Sequence, residues 1–183
     1  MNSKFLQLTA ELNALDYFEK AISFIRETEE SDIAWKWVAI SLHGALYGFL
    51  VSACYGTNCM AVVEGKNKDH LISFGEALKR CEEGREAKAL VVTEGERKSI
   101  DSLKRFLRDN YEHFRPRANL VKLDGITMIA LDYVRMIETL ATQGWVGVRL
   151  HEDGKLRVVE LAAEARTLLS NSNLHLELYS AQH

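Results

Sequence analysis

The chain has 183 residues, a net charge of -3, 47% hydrophobic and 27% charged residues, which suits one globular domain with one core and excludes a disordered chain. A pI near 6.1 excludes a protein that coats nucleic acid or an anionic membrane through its overall field, so any polyanion site must be local. Cys54, Cys59 and Cys81 form no CxxC pair, and the spacing of the first two lacks a second pair of zinc ligands, so thiols in a reducing cytosol are expected, with no metal and no cofactor. The amino terminus has no apolar block behind a basic region, which predicts a cytoplasmic chain.

Phe5, Leu8, Leu12, Leu15, Phe18, Ile22 and Ile25 recur at spacings of three and four, predicting a long amphipathic first helix. The polar run from Arg26 to Ser31 ends it, and Ser31 or Asp32 is positioned to cap the next helix. That helix, from about Ile33 to Cys54, is apolar on every face, as a helix at the middle of a bundle must be. No Asp, Glu, Lys or Arg occurs from Trp37 to Val63, enough length for a membrane span, but Ser41, His43, Ser52, Thr57 and Asn58 interrupt it, and a buried central helix is the better reading. Gly44, Gly48 and Ser52 recur every four residues, a line along which another helix of the same subunit or of a dimer partner could approach closely. Trp35 and Trp37 suit either base stacking or core anchoring.

After a loop from Gly56 to Lys68, a third helix is expected from about Asp69 to Glu83, with Leu71, Phe74 and Leu78 on its apolar side and Gly84 at its end. Ala89 to Val92 is either a brief strand or a buried loop. The helical pattern returns at Ile100, Leu103, Leu107, Tyr111 and Phe114, with Ser99 as N-cap and Pro116 stopping the helix at about Phe114. Leu120 to Leu123 reads as a short extended piece, and Ile126 to Thr142 as a helix. Trp145 to Leu150 with the turn Glu152-Asp153-Gly154-Lys155 reads as half of a hairpin. A last helix should run to about Ser170, followed by a polar, loosely packed tail over 171–183. The fold expected is therefore mainly α: an up-and-down bundle of five to six helices over 1–170, with one short β-hairpin or extended segment.

Chemistry concentrates between residues 104 and 122. Lys104, Arg105, Arg108, Arg115, Arg117 and Lys122 stand against Asp109 and Glu112, a local charge of +4 on a chain whose remainder sums to -7. Such a patch can hold a phosphate, and it can equally be a solvated helix face. Arg108 offers a permanent bidentate phosphate partner and His113 a proton carrier near neutral pH. Five residues apart, the two lie roughly 140° from each other on an ideal helix, so a shared site needs a loosened helix end or a second subunit. Asp109, four residues before His113, could orient its ring. His43 and Tyr47, four apart on the apolar second helix, either line the same cleft or belong to the core; His70, His151, His175 and His183 receive no role.

Leu-Arg-Asp-Asn-Tyr-Glu-His-Phe-Arg-Pro, from Leu107 to Pro116, resembles the Arg-x4-6-His motif of the HEPN superfamily, helical bundles of toxin-antitoxin, abortive-infection and CRISPR-linked systems. The apolar helix around Trp35 to Leu50 and the stretch Leu71 to Arg80 are similar to bacterial members, so that the resemblance spans roughly residues 1 to 142. It implies a metal-independent ribonuclease, a homodimer whose two motifs form one cleft, leaving a 2',3'-cyclic phosphate and a 5'-hydroxyl. Arg108 would stabilise charge on the scissile phosphate, His113 would move a proton or position the ribose 2'-hydroxyl, and Asp109 would orient the site. Asn110, Lys104, Arg105, Arg115 and Arg117 would bind the RNA or nucleotide, and an antitoxin or other defence protein is the implied partner. In one branch a modified Tyr follows the motif His after one residue; here that position is Arg115, and Tyr111 precedes His113. The alternative is a non-catalytic module of the same fold that binds a nucleotide or RNA or serves in a dimeric assembly.

Overall fold

The computed structural model describes residues 5–6, 8–63, 70–84, 90–110 and 122–180, with the backbone alone at 59, 106–110 and 178–180. Among these residues it is mainly α: seven helices, one 3-10 turn at Cys59–Val62 and no strand. A lone antiparallel bridge, Val63 with Leu71, is the one extended pairing among them.

The first helix, α1 (Ala10–Glu27), begins five residues later than the apolar spacing suggests, because Thr9 accepts a hydrogen bond from Leu12 N at 3.2 Å and fixes the start. Phe5, Leu6 and Leu8 are left outside it and exposed. The second, α2 (Ala34–Tyr55), is the core helix, buried from Ala34 to Cys54 on several faces. Its N-cap is Ile33, which makes no side-chain cap bond; neither Ser31 nor Asp32 caps with its side chain, and their carbonyls accept from Ala34 and Trp35 instead. By length and hydropathy α2 could cross a membrane, but 67% of its most apolar window is buried in the bundle, which is compatible with a soluble protein. Trp35 anchors the core, while Trp37 is half exposed and stacks on Phe24 at 6.0 Å.

The small-residue line of α2 receives α1 of the same chain. A Cβ on Gly48 would lie 2.8 Å from Ala14 Cβ, and one on Gly44 would lie 2.8 Å from the Tyr17 ring. Opposite Ser52 stands Glu11, whose carboxylate accepts from Ser52 Oγ at 2.5 Å. The pairing of positions 17 with 44, 14 with 48 and 11 with 52 makes α1 and α2 antiparallel.

Ser73 starts α3 (Phe74–Glu83) by accepting from Glu76 N, and Gly84, at φ 66°, ends it in the left-handed conformation. The helix is shorter than its sequence suggests: Leu71, expected on its apolar side, belongs to the bridge with Val63 and is half exposed. The next helix, α4 (Glu94–Asn110), starts before Ser99. Thr93 and Glu96 form a reciprocal capping box, Thr93 N donating to Glu96 Oε2 at 2.8 Å and Glu96 N to Thr93 Oγ1 at 3.2 Å. Ser99 lies inside the helix and donates to Asp132 at 2.5 Å.

After Gly125 at φ 75°, α5 (Ile126–Thr142) packs on α2 and α4. The expected hairpin is absent: Trp145 to Leu150 opens α6 (Gly144–Asn171), which breaks at His151 (φ 57°, ψ 176°) and continues as helix. Two helical stretches meet here because the apolar positions on either side, Val146 and Leu150, then Val158, Leu161, Ala165 and Leu169, keep helical spacing and are all buried. The segment after 171 is no loose tail through Ser180: it forms α7 (Asn173–Ser180), and His175 is buried against Thr127 Oγ1 at 3.2 Å.

Three ion pairs join α1 to α6, Glu11 with Arg149, Glu19 with Arg157 and Arg26 with Glu164, each 138 residues apart. A constant offset means that the two helices run parallel in one register, across the break at His151.

Candidate functional site

Of the Arg-x4-His pattern, Arg108, Asp109 and Asn110 fall at the carboxyl end of α4. Its amino end is locked onto α5: Glu96 is buried and pairs with Arg135, whose guanidinium also donates to the Val91 carbonyl at 3.0 Å. Burial raises the Glu96 carboxyl, but the hydrogen bonds from Arg135 and Thr93 outweigh it and hold the pKa below the ordinary carboxylate value. Arg97 reaches Glu82 and ties α4 to α3. With its first turns held on two sides, α4 has a fixed direction, and Lys104, Arg105 and Arg108 follow on its later turns.

Lys104 and Arg105 are exposed, and Arg105 Nε donates back to the Asp101 carbonyl at 3.2 Å. Arg108, Asp109 and Asn110 belong to the last turn of α4, Arg108 standing one turn beyond Lys104 and on the same side of the helix. His113, Arg115 and Arg117 lie outside the described residues, as do Tyr111, Glu112 and Pro116.

Two buried polar groups flank this helix without a hydrogen-bond partner among the described residues, the Nδ1 of His43 on α2 and the hydroxyl of Tyr133 on α5. The His43 ring stacks on Phe74, centroids 4.6 Å apart and 23° from parallel, so packing rather than hydrogen bonding holds it. Burial pushes its pKa down, and the positive charge of Lys104 adds to this, to about 4. At neutral pH His43 is therefore an uncharged imidazole, able to donate from one nitrogen and accept at the other but not to act as a cation. Burial of the Tyr133 phenol, with the Asp101 carboxylate nearby, raises its pKa and keeps it protonated. Both unpaired groups thus adjoin the turn of α4 that carries Asp101 and Lys104, one to two turns before Arg108.

Tyr47, expected beside His43, is committed elsewhere: its hydroxyl donates to the Ile72 carbonyl at 2.6 Å, and its ring leans on Phe74 at 6.0 Å. It thereby holds the bridge segment. Nothing in the sequence marks Tyr133, since a tyrosine at a core position usually finds a partner for its hydroxyl.

A second polar cluster, invisible to motif reading, lies where α1, α2 and α6 meet. Arg149 donates to Glu11, to the Ser52 hydroxyl at 2.8 Å and to the Gly56 carbonyl at 2.9 Å, and its guanidinium lies 5.0 Å from the centre of the Tyr55 ring. Burial opposes the charge on Glu11, but hydrogen bonds from Ser52, its own backbone N-H and Arg149 hold its pKa below the ordinary value. Joined in this way, the cluster fastens the three helices. Among the described residues no group of three His, Cys, Asp or Glu side chains could hold a metal ion.

Fold and site together define a mainly helical bundle with a basic helix end beside two unpaired buried polar groups. No protein-family model, no curated protein and no solved structure matches the chain.

Proposed function

We propose that this chain is a HEPN-type, metal-independent endoribonuclease, working in the cytoplasm as a homodimer in a toxin-antitoxin or phage-defence role. In this reading Arg108 binds the scissile phosphate and stabilises its developing charge, and His113 moves a proton or positions the ribose 2'-hydroxyl. Asp109 orients the site, while Lys104, Arg105, Asn110, Arg115 and Arg117 hold the RNA. An antitoxin or another defence protein would restrain it. The observation that carries the reading is that Arg108, the first residue of the Arg-x4-His pattern, lies on α4 one to two turns beyond a flank where the His43 Nδ1 and the Tyr133 hydroxyl have no hydrogen-bond partner among the described residues. Buried polar groups without partners are costly and rare, and each calls for an explanation, a catalytic role being one. Neutral His43 adds no charge, so the attraction for phosphate on this flank comes from Lys104 and the basic residues that follow it.

The test is incubation of the purified chain with RNA in EDTA, with product ends analysed by mass. Cleavage to 2',3'-cyclic phosphate and 5'-hydroxyl ends is expected, falling at least about 100-fold in Arg108→Ala and in His113→Ala. Cleavage that survives in the double variant removes this site. RNA binding without turnover by the wild-type chain would instead favour the non-catalytic module.

A further inference from the structure

The sulfurs of Cys54, near the end of α2, and Cys81, near the end of α3, are 3.6 Å apart in the core. No spacing rule brings them together, since 27 positions separate them in sequence. Each thiol also meets the other helix's backbone, Cys54 Sγ lying 3.4 Å from the Ala77 carbonyl and Cys81 Sγ 3.6 Å from that of Leu50. A disulfide needs about 2.05 Å between sulfurs, so an approach of about 1.5 Å would join them. Side-chain rotation with a small shift of α3 supplies such a distance. The position of α3 allows it: it rests chiefly on α2, tied at its edges by Arg80 to the Ala61 carbonyl at 2.6 Å and by Arg97 to Glu82.

We propose that Cys54 and Cys81 are a dithiol modification site that closes to an intramolecular disulfide under a disulfide oxidant such as oxidised glutathione, clasping α3 to α2. The chemistry is two exchanges. One Cys thiolate attacks the oxidant, forming a mixed disulfide and expelling one glutathione thiolate. The second Cys then displaces the other glutathione. The two cysteines lose two electrons and two protons, and the oxidant is reduced to two thiols. Both thiols are buried, and the sulfur-sulfur contact together with burial raises the Cys81 pKa. The first attack is therefore slow while α3 is seated and faster whenever it lifts, so the pair responds to oxidant and loosening together. Closure then fixes the helix that carries Phe74, the ring beneath His43.

The experiment treats the purified full chain with oxidised glutathione, with and without urea below the unfolding transition, then blocks remaining thiols and maps disulfides by peptide mass. Expected are a Cys54–Cys81 bridge, formed faster in mild urea, and a thermal midpoint at least about 5 °C above that of the reduced chain, since the bridge closes a 28-residue loop. Cys59→Ser should retain the bridge, and Cys54→Ser and Cys81→Ala should each abolish it. A chain that stays reduced even in mild urea overturns the proposal. So does a bridge through Cys59, a stable mixed disulfide, or an oxidised chain that melts below the reduced one. Because the wild-type chain alone gives this readout, a variant that fails to fold leaves the test intact.

Discussion

A buried histidine beside a lysine makes folding sensitive to acid in a window set by its own pKa. The His43 imidazole titrates near 6.5 in the unfolded chain and is pushed down to about 4 in the fold. Above pH 6.5 both states are neutral and the residue has no effect. As pH falls below 6.5 the unfolded chain takes up the proton first, so stability drops progressively until about pH 4, where the folded state is protonated as well. Between pH 7 and pH 5 this residue should lower the unfolding free energy by about 2 kcal/mol. Urea unfolding of the wild type and of His43→Leu at both pH values isolates it, since every other titrating group is shared. An equal pH dependence in the two proteins would mean that His43 is not held neutral. Glu11 is shifted in the same direction but acts in a lower window: its depressed pKa contributes stability above about pH 4.5 that is lost as pH falls through the folded value.

At the scale of elements, the break in α6 is the place where backbone cost is visible. His151 has φ 57° and ψ 176°, a region that side chains with a Cβ occupy at about 1 to 3 kcal/mol and that glycine enters freely. His151→Gly should relieve that cost, part of it returning as the greater unfolded-state freedom of glycine. A net gain of about 1 kcal/mol is expected, read as a higher urea midpoint with unchanged helical circular dichroism. A loss would mean that the His151 side chain contributes more than its backbone costs.

The same element shows what the sequence made legible. Trp145 to Leu150 with the turn-like Glu152-Asp153-Gly154-Lys155 suggests half of a hairpin. Gly154 instead sits in helix against Leu150, where a Cβ would come to 3.1 Å of Leu150 Cβ. Glycine here serves packing, and periodicity over six residues cannot separate that from a turn. The apolar repeat beginning at Ile100 points to Ser99 as the cap of α4, whereas the helix starts at the capping box of Thr93 and Glu96, before that repeat. The central helix α2 was plain, because a long stretch without charge has few other uses. The Glu11–Ser52–Arg149 cluster was not legible, since it joins three helices and no local spacing encodes it. Of the candidate site, sequence marks the basic segment, Lys104 and His43, and misses Tyr133, because the absence of a partner for its hydroxyl among the described residues is visible only in three dimensions.

Considered whole, the chain carries -3 with +4 concentrated between residues 104 and 122 and -7 elsewhere. An acidic body repels RNA while the basic segment attracts it, so binding should be confined to that segment and steeply salt dependent. If about four cations there neutralise phosphates, the slope of log K against log salt is about -2.8 for single-stranded RNA, and affinity falls roughly 50-fold between 50 and 200 mM salt. Arg108→Ala should shrink the slope by about 0.7, whereas Arg157→Ala, which removes a cation of α6 committed to Glu19 of α1 at 2.7 Å, should leave it unchanged. Fluorescence anisotropy with a short labelled RNA at four salt concentrations separates the two variants. The proposed dimer would enter the same measurement. A cleft built from two basic segments places +8 in one place, so the slope should steepen as protein concentration crosses the dimerisation constant found by light scattering. A slope independent of concentration, or one reduced equally by both variants, would place RNA on the general surface rather than at the end of α4.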